Sequence, residues 1–245
     1  MATILIPARW ASTRFPGKPL ALLAGKPLIQ HVWEQCARSK TAARIIIATD
    51  DMRIAEAAFD FGAEVALTRS DHPSGTDRAA EVAALLKRER VLVNVQGDEP
   101  FVEPKLIDRL IREFKNDRSL EMATAASPIH DIAEFHDPNI VKVVLNLDGN
   151  ALYFSRAPIP VNRDNEAHSL SFRHHGIYAY TKEFLLRFVT WKPTALEKSE
   201  KLEQLRALEH GITIRVLKTK GTSPGIDTPE QAVAAERQIL RAGES

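Results

Sequence analysis

Two patterns predict an α/β fold with a mainly parallel central sheet and a smaller mixed α/β lobe. Over the first hundred or so residues, short apolar runs alternate with amphipathic stretches of helical period. Several of these runs are apolar throughout, as strands of a parallel sheet buried on both faces are. Beyond residue 140 the pattern changes to a hairpin-like strand pair and short helical stretches, which marks the lobe.

Residues 3–6 (TILI), 44–48 (RIIIA), 64–67 (EVAL) and 91–95 (VLVNV) read as strands. Residues 28–38, 54–61, 77–88 and 104–114 read as helices, and strand–helix repetition of this kind builds a parallel sheet covered on both faces. Residues 140–147 and 151–155 read as strands joined at Asp148-Gly149-Asn150, a hairpin signal. Residues 156–170 are polar and proline-bearing, without clear period. A strand at 177–180, helical stretches at 182–189 and 200–209, a strand at 212–217 and a helix at 229–241 complete the reading, with Pro229 suited to a first helical turn. The whole reads as one domain over residues 1–245, with residues 150–205 forming the lobe.

Charge narrows the partners. Against 32 acidic residues stand 33 Lys and Arg, a formal charge of +1, which gives no electrostatic reason to expect nucleic acid or a membrane surface. Small anions need local positive charge only. Cys36 is the single cysteine, so neither an intramolecular disulfide nor a thiolate metal cluster is available. No stretch approaches the ~20 apolar residues of a membrane span. The early run Ile4-Leu5-Ile6 is shorter than the apolar core of about 7–15 residues in a secretory signal, so the cytoplasm is the expected location.

Local positive charge lies directly after the first strand, where parallel α/β sheets place ligands. The segment RWASTRFPGKPLALLAGKPL contains GKPL twice. Its first half gathers Arg9, Arg14 and Lys18 among small residues and prolines, as a phosphate loop does; a solvated basic loop is the plain alternative. It is not a phosphate loop of the G-x-x-x-x-G-K-[ST] type, because Ser12 replaces the first glycine and Pro19 the hydroxyl residue. The second copy reads as a strand–turn–helix corner, with Lys26 near a helix start, where the dipole disfavours a cation.

Acidic residues provide the second signal. NVQGDEP ends a buried strand with Gln96, Gly97, Asp98 and Glu99, where a carboxylate can hold Mg²⁺ against phosphates. SPGIDTPE offers Asp227, for which a helix N-cap and a metal ligand are both open readings. SGTDR precedes a helix whose N–H groups suit a nucleotide, although capping by Ser74 or Thr76 explains the same residues. His174 and His175 are adjacent in a strand, so they point to opposite faces and do not chelate one metal.

These segments, together with ATDD, VKVVLNLDGNALYFSRAPIP, RHHGIYAY and SEKLEQLRALEHG, resemble the 3-deoxy-manno-octulosonate (Kdo) cytidylyltransferase family almost end to end. The resemblance implies a Rossmann-like nucleotidyltransferase fold and transfer of CMP from CTP to an acidic eight-carbon sugar. It implies a catalytic set of Arg14, Lys18, Asp98 and Asp227, with Mg²⁺ on the two aspartates. It places the nucleotide on Arg9, Arg14, Lys18, Ser74, Gly75, Thr76, Arg78 and Asp98. The sugar is implied at Gln96, Arg156, Arg163, His174, Tyr178, Glu203 and Gln204. It further implies a cytoplasmic homodimer whose product feeds lipopolysaccharide synthesis. The neighbouring readings are the same transfer to an 8-amino analogue or sialic acid, and a non-catalytic nucleotide-sugar binder, against which the paired aspartates argue.

Overall fold

A computed structural model describes residues 1–11, 15–161, 163, 171–221 and 225–243. In chain order, β1 (Ala2–Ala8) leads through a 3₁₀ turn (Lys18–Leu20) to a two-residue hairpin, β2 (Leu22–Leu23) and β3 (Lys26–Pro27). Then come α1 (Leu28–Ala37), β4 (Arg44–Thr49), α2 (Met52–Asp60), β5 (Glu64–Leu67), α3 (Gly75–Leu85), β6 (Val91–Asn94) and α4 (Pro104–Asn116). The chain continues with β7 (Met122–Pro128), α5 (Ile132–His136), β8 (Lys142–Leu145), β9 (Ala151–Ser155) and β10 (Phe172–Thr181). It ends with α6 (Lys182–Phe188), α7 (Ala195–Glu200), α8 (Gln204–Glu209), β11 (Ile214–Lys218) and α9 (Pro229–Gly243).

The chain divides into two compact units, Met1–Asp108 with Ser223–Ser245, and Arg109–Thr222. In the first unit β6, β1, β4 and β5 lie side by side, every pair parallel. All seven residues of β1 are buried. Since successive side chains alternate faces, this requires cover on both sides of the sheet. Ile4, Leu5 and Ile6 are fully buried, and each such side chain contributes about 1.5–3 kcal/mol relative to exposure.

The second unit is mixed. Here β11 pairs parallel with β7, β7 antiparallel with β10, β10 with β8, and β8 with β9. The expected hairpin forms, with Gly149 at φ +80 between β8 and β9. The lobe expected over residues 150–205 falls within this unit.

Several elements differ from the sequence reading, the unread α5 among them. The stretch 200–209 is not one helix: Lys201 adopts φ +55 and separates α7 from α8. Strand β10 begins at Phe172, so both histidines belong to it. β7 carried no sequence signal, because Met-Ala-Thr-Ala-Ala-Ser-Pro is made mostly of small residues without strong β propensity. Its position among neighbouring strands makes it buried.

The two histidines sit on different partners, as strand alternation demands. His174 Nε2 lies 3.0 Å from Thr124 Oγ1, and His175 Nε2 lies 3.1 Å from Ser127 Oγ. Burial lowers the His174 pKa to about 3 and that of His175 to about 4; the second cause is a neighbouring positive group, His175 for the former and Arg173 for the latter. An unfolded chain takes up these protons near pH 6.5, which the folded chain refuses until about pH 4. Their contribution to stability is therefore full above about pH 6.5 and is lost as pH falls towards 4, at about 1.4 kcal/mol per unit for each imidazole. Urea unfolding at pH 7, 5.5 and 4.5 is expected to show this slope, and His175→Gln to flatten it.

Candidate active site

The carboxyl ends of β1 and β6, the N-terminus of α3 and the segment leading into α9 enclose a cavity of about 560 Å³ in the first unit. Pro7, Ala8, Arg9, Ala11, Lys18 and Pro19 line it from the first loop, and Gln96, Gly97 and Asp98 from the end of β6. His72, Ser74, Gly75 and Arg78 line it from the approach to α3 and its first turn, and Asp227 from ahead of α9. This is the position that parallel strand topology dictates for a ligand.

Two close approaches shape it. A Cβ on Gly97 would stand 2.8 Å from the Pro7 carbonyl oxygen, so only glycine lets the β6 end pass β1 at this distance. A Cβ on Gly75 would meet the Pro7 ring at 3.2 Å. Gly97→Ala is therefore expected to cost about 1–3 kcal/mol in stability, as overpacking does, measured by urea unfolding.

The charged centre is built by Lys18. Gly17, at φ +70, turns the chain into the 3₁₀ turn that starts with this lysine. Lys18 Nζ lies 2.5 Å from Asp98 Oδ2 and 3.2 Å from Asp227 Oδ1. The aspartates, far apart in sequence, are joined through the backbone: the Ile226 N–H donates to the Asp98 carbonyl at 2.9 Å. Ile226 is itself anchored in an apolar cluster with Leu23, Leu28, Ala232 and Ala235.

Asp227 is not the helix cap. Thr228 Oγ1 accepts from the Gln231 N–H at 3.4 Å, while Gln231 Oε1 accepts from the Thr228 N–H at 3.1 Å and the Asp227 N–H at 2.6 Å. This reciprocal arrangement closes α9 and leaves the Asp227 carboxylate to the cavity.

Lys26 stands elsewhere. Its Nζ bonds Glu34 at 2.8 and 3.0 Å on α1, following a turn in which Ala24 and Gly25 both have positive φ. The second GKPL is the corner of the β2–β3 hairpin leading into α1, where its sequence suggested a strand–turn–helix corner.

Around SGTDR the capping reading holds at Ser74. Ser74 caps α3, accepting from the Asp77 N–H at 3.1 Å and donating to Asp77 Oδ2 at 2.6 Å. The same helix start still faces the cavity, where its N–H dipoles favour an anion or polar base. Arg78 is buried, bonded to Thr68 Oγ1 and the Arg69 carbonyl and 3.3 Å from Asp50. Among the described residues Thr76 is buried but not part of the lining. Arg14 lies outside the described residues. His72, whose Nε2 bonds the Glu81 carboxylate, lines the cavity without having been singled out; its place two residues before Ser74 was the available signal.

Of the residues implied for the sugar, Gln96 lines the cavity of the first unit, and the others belong to the second. There Arg156 Nε donates to the Glu200 carbonyl at 2.8 Å and Nη1 to the Pro138 carbonyl at 3.0 Å. His174 packs edge-on against Phe154 with ring centres 5.0 Å apart, and Tyr178 lies 5.4 Å from His174. Glu203 and Gln204 begin α8, which packs on β9, and Gln204 is buried. Arg163 is exposed.

Comparisons with known proteins bear on this arrangement. The family described as "Cytidylyltransferase" matches residues 3–214. A 3-deoxy-manno-octulosonate cytidylyltransferase of Pelobacter propionicus is 51% identical, the match covering 99% of this chain and 98% of that protein. One of Pseudomonas fluorescens is 52% identical over 97% of each. A solved CMP:2-keto-3-deoxy-manno-octonic acid synthetase complexed with CTP superposes with a TM-score of 0.93 at 40% identity, covering 98% of this chain and 99% of that one. A cytidylyltransferase of Leptospira borgpetersenii, 16% identical with a TM-score of 0.67, covering 98% and 87%, shares the fold.

Proposed function

The chain belongs to the 3-deoxy-manno-octulosonate cytidylyltransferase family, and from that premise we propose that it transfers CMP from CTP to Kdo and releases pyrophosphate. The observation that carries this reading is Lys18 Nζ held between Asp98 and Asp227, in a cavity of about 560 Å³ that also receives the N-terminus of α3.

In this reading the anomeric hydroxyl of the sugar attacks the α-phosphorus. A bond forms from that oxygen to phosphorus, the α–β bridging P–O bond breaks, and the hydroxyl proton is lost to solvent. The residues contribute position and charge rather than covalent chemistry. Lys18 and Arg9, with Arg14, hold the triphosphate and take up the charge that grows on the leaving pyrophosphate. Ser74, Gly75 and Arg78 receive the cytidine against the start of α3.

Asp98 and Asp227 suit Mg²⁺, since hard oxygen donors from both already converge on one cation, the Lys18 ammonium. When bound there, the ion would neutralise phosphate charge and polarise the reacting oxygens.

Arg156, Arg163, His174, Tyr178, Glu203 and Gln204 form the sugar site of the same reading. Arg156 pairs with the sugar carboxylate through the N–H groups it does not give to Glu200 and Pro138, and His174 contributes as a neutral imidazole. Residues 1–245 act as one nucleotidyltransferase in the cytoplasm, serving lipopolysaccharide synthesis. A second copy covers exposed apolar side chains such as Leu147, Leu152 and Val161 through residues 150–205.

The test is pyrophosphate release with CTP and Mg²⁺, comparing Kdo, its 8-amino analogue and sialic acid. Release with Kdo at the highest kcat/KM is expected. No release with any acidic sugar sinks the enzyme reading, and preference for another sugar corrects the substrate.

A further inference from the structure

We propose that Trp10 is a positioning residue for CTP binding: its ring, stacked between the Arg53 guanidinium and Gly17, sets where Lys18 stands. The proposal rests on the reading of Lys18 as a phosphate ligand.

The contacts form an unbroken series. Arg53 Cζ lies 3.4 Å from the centre of the Trp10 ring system, a close cation–π stack. Arg53 is itself aimed by two bonds to one carboxylate, Nε to Asp51 Oδ1 at 2.9 Å and Nη2 to Asp51 Oδ2 at 2.6 Å. Asp51 is fixed in turn as the N-cap of α2, accepting from the Arg53 N–H at 3.0 Å.

Beyond the tryptophan the series reaches Lys18. The Trp10 carbonyl accepts from the Gly17 N–H at 3.2 Å, tying the two ends of the loop together. A Cβ on Gly17 would stand 2.9 Å from Trp10 Cη2 and 3.0 Å from Cζ2, so the ring lies directly on this glycine. Gly17 is the residue from which the Lys18–Leu20 turn starts. Moving the ring therefore moves the origin of the lysine.

Stability alone does not account for the stack. The Arg53 side chain is 55% exposed, and ion pairs at such sites stabilise a fold little. An aromatic ring and an oriented cation at the loop base are what a preorganised anion site uses, since the ordering is complete before the ligand arrives.

Steady-state kinetics and tryptophan emission on the full chain test this. Trp10→Ala is expected to raise KM for CTP about fivefold, the scale of one exposed cation–π contact, while kcat and KM for Kdo stay within about twofold. Trp10→Phe, which keeps a ring, restores most of the CTP affinity, and Arg53→Met weakens it. Gly17→Ala raises KM for CTP more in the wild-type background than in Trp10→Ala, where the ring is gone. CTP added alone changes tryptophan emission, and Trp10→Phe removes that change although Trp33 and Trp191 remain.

Unchanged KM for CTP in Trp10→Ala, an equal rise in KM for Kdo, or an emission change that persists in Trp10→Phe overturns the proposal. A wild-type chain that releases no pyrophosphate sinks the transferase reading instead, and the emission titration with CTP still decides the role of Trp10.

Discussion

Lys18→Ala is expected to lower kcat/KM for CTP by about 10²–10³-fold, the loss that follows removal of one preorganised donor to a developing oxyanion. Lys26→Ala is expected to stay within about twofold, since an exposed pair such as Lys26–Glu34 is worth about 0–1 kcal/mol and touches no cavity-lining residue. The contrast matters because the two lysines occupy identical tetrapeptides. Both follow a glycine of positive φ, but the first starts a 3₁₀ turn and points at two carboxylates, whereas the second lies in a hairpin strand and points at a glutamate on α1. Initial rates of pyrophosphate release in both variants check this, and equal losses contradict it.

The second large effect concerns the carboxylates. Asp98→Asn and Asp227→Asn are each expected to reduce kcat by about 10³-fold, since a metal supplies several kcal/mol of charge stabilisation and about 1.36 kcal/mol is a factor of ten. CTP binding, followed by tryptophan emission, is expected to weaken by less than about tenfold, because Lys18 and the start of α3 remain. The Mg²⁺ concentration needed for half-maximal rate rises in both variants. Near-normal turnover in either one removes that residue from the metal site. Stability is little affected at Asp227, because Thr228 and Gln231, not Asp227, cap α9.

How much of this was legible depended on whether a local pattern existed. Strands β1, β4 and β6 announced themselves because buried parallel strands must be apolar at consecutive positions, whereas the edge strand β5, with no buried residue, showed only a short apolar run. The loop after β1 was legible because topology places ligands at strand ends, so its cations had a location before any contact was known. β7 had no such signal: its Ala, Ser and Thr residues are neutral in pattern, and its neighbours decide its burial. The break at Lys201 was invisible because a left-handed lysine has no compositional mark, unlike Gly17 or Gly149.

The role of Asp227 was undecidable from sequence for a different reason. An aspartate just before a helix satisfies the capping pattern as well as the metal pattern. The Gln231 side chain, which takes the Thr228 and Asp227 N–H groups, excludes the cap locally, and the hydrogen bond from Ile226 to Asp98, a tertiary fact, brings the two aspartates together. Trp10 was unread because its partner, Arg53, lies on a different element and no spacing rule connects them.

The Ile226–Asp98 bond also orders events in time. Asp98 leaves the ribosome well before Asp227, which lies far behind it in the chain. The β6–β1–β4–β5 sheet has all its strands well before then, but of the two aspartates that hold Lys18 it has only one. A nascent chain that has reached only Asp98 therefore carries Lys18 beside a lone carboxylate, and the trio is complete only once Asp227 has followed.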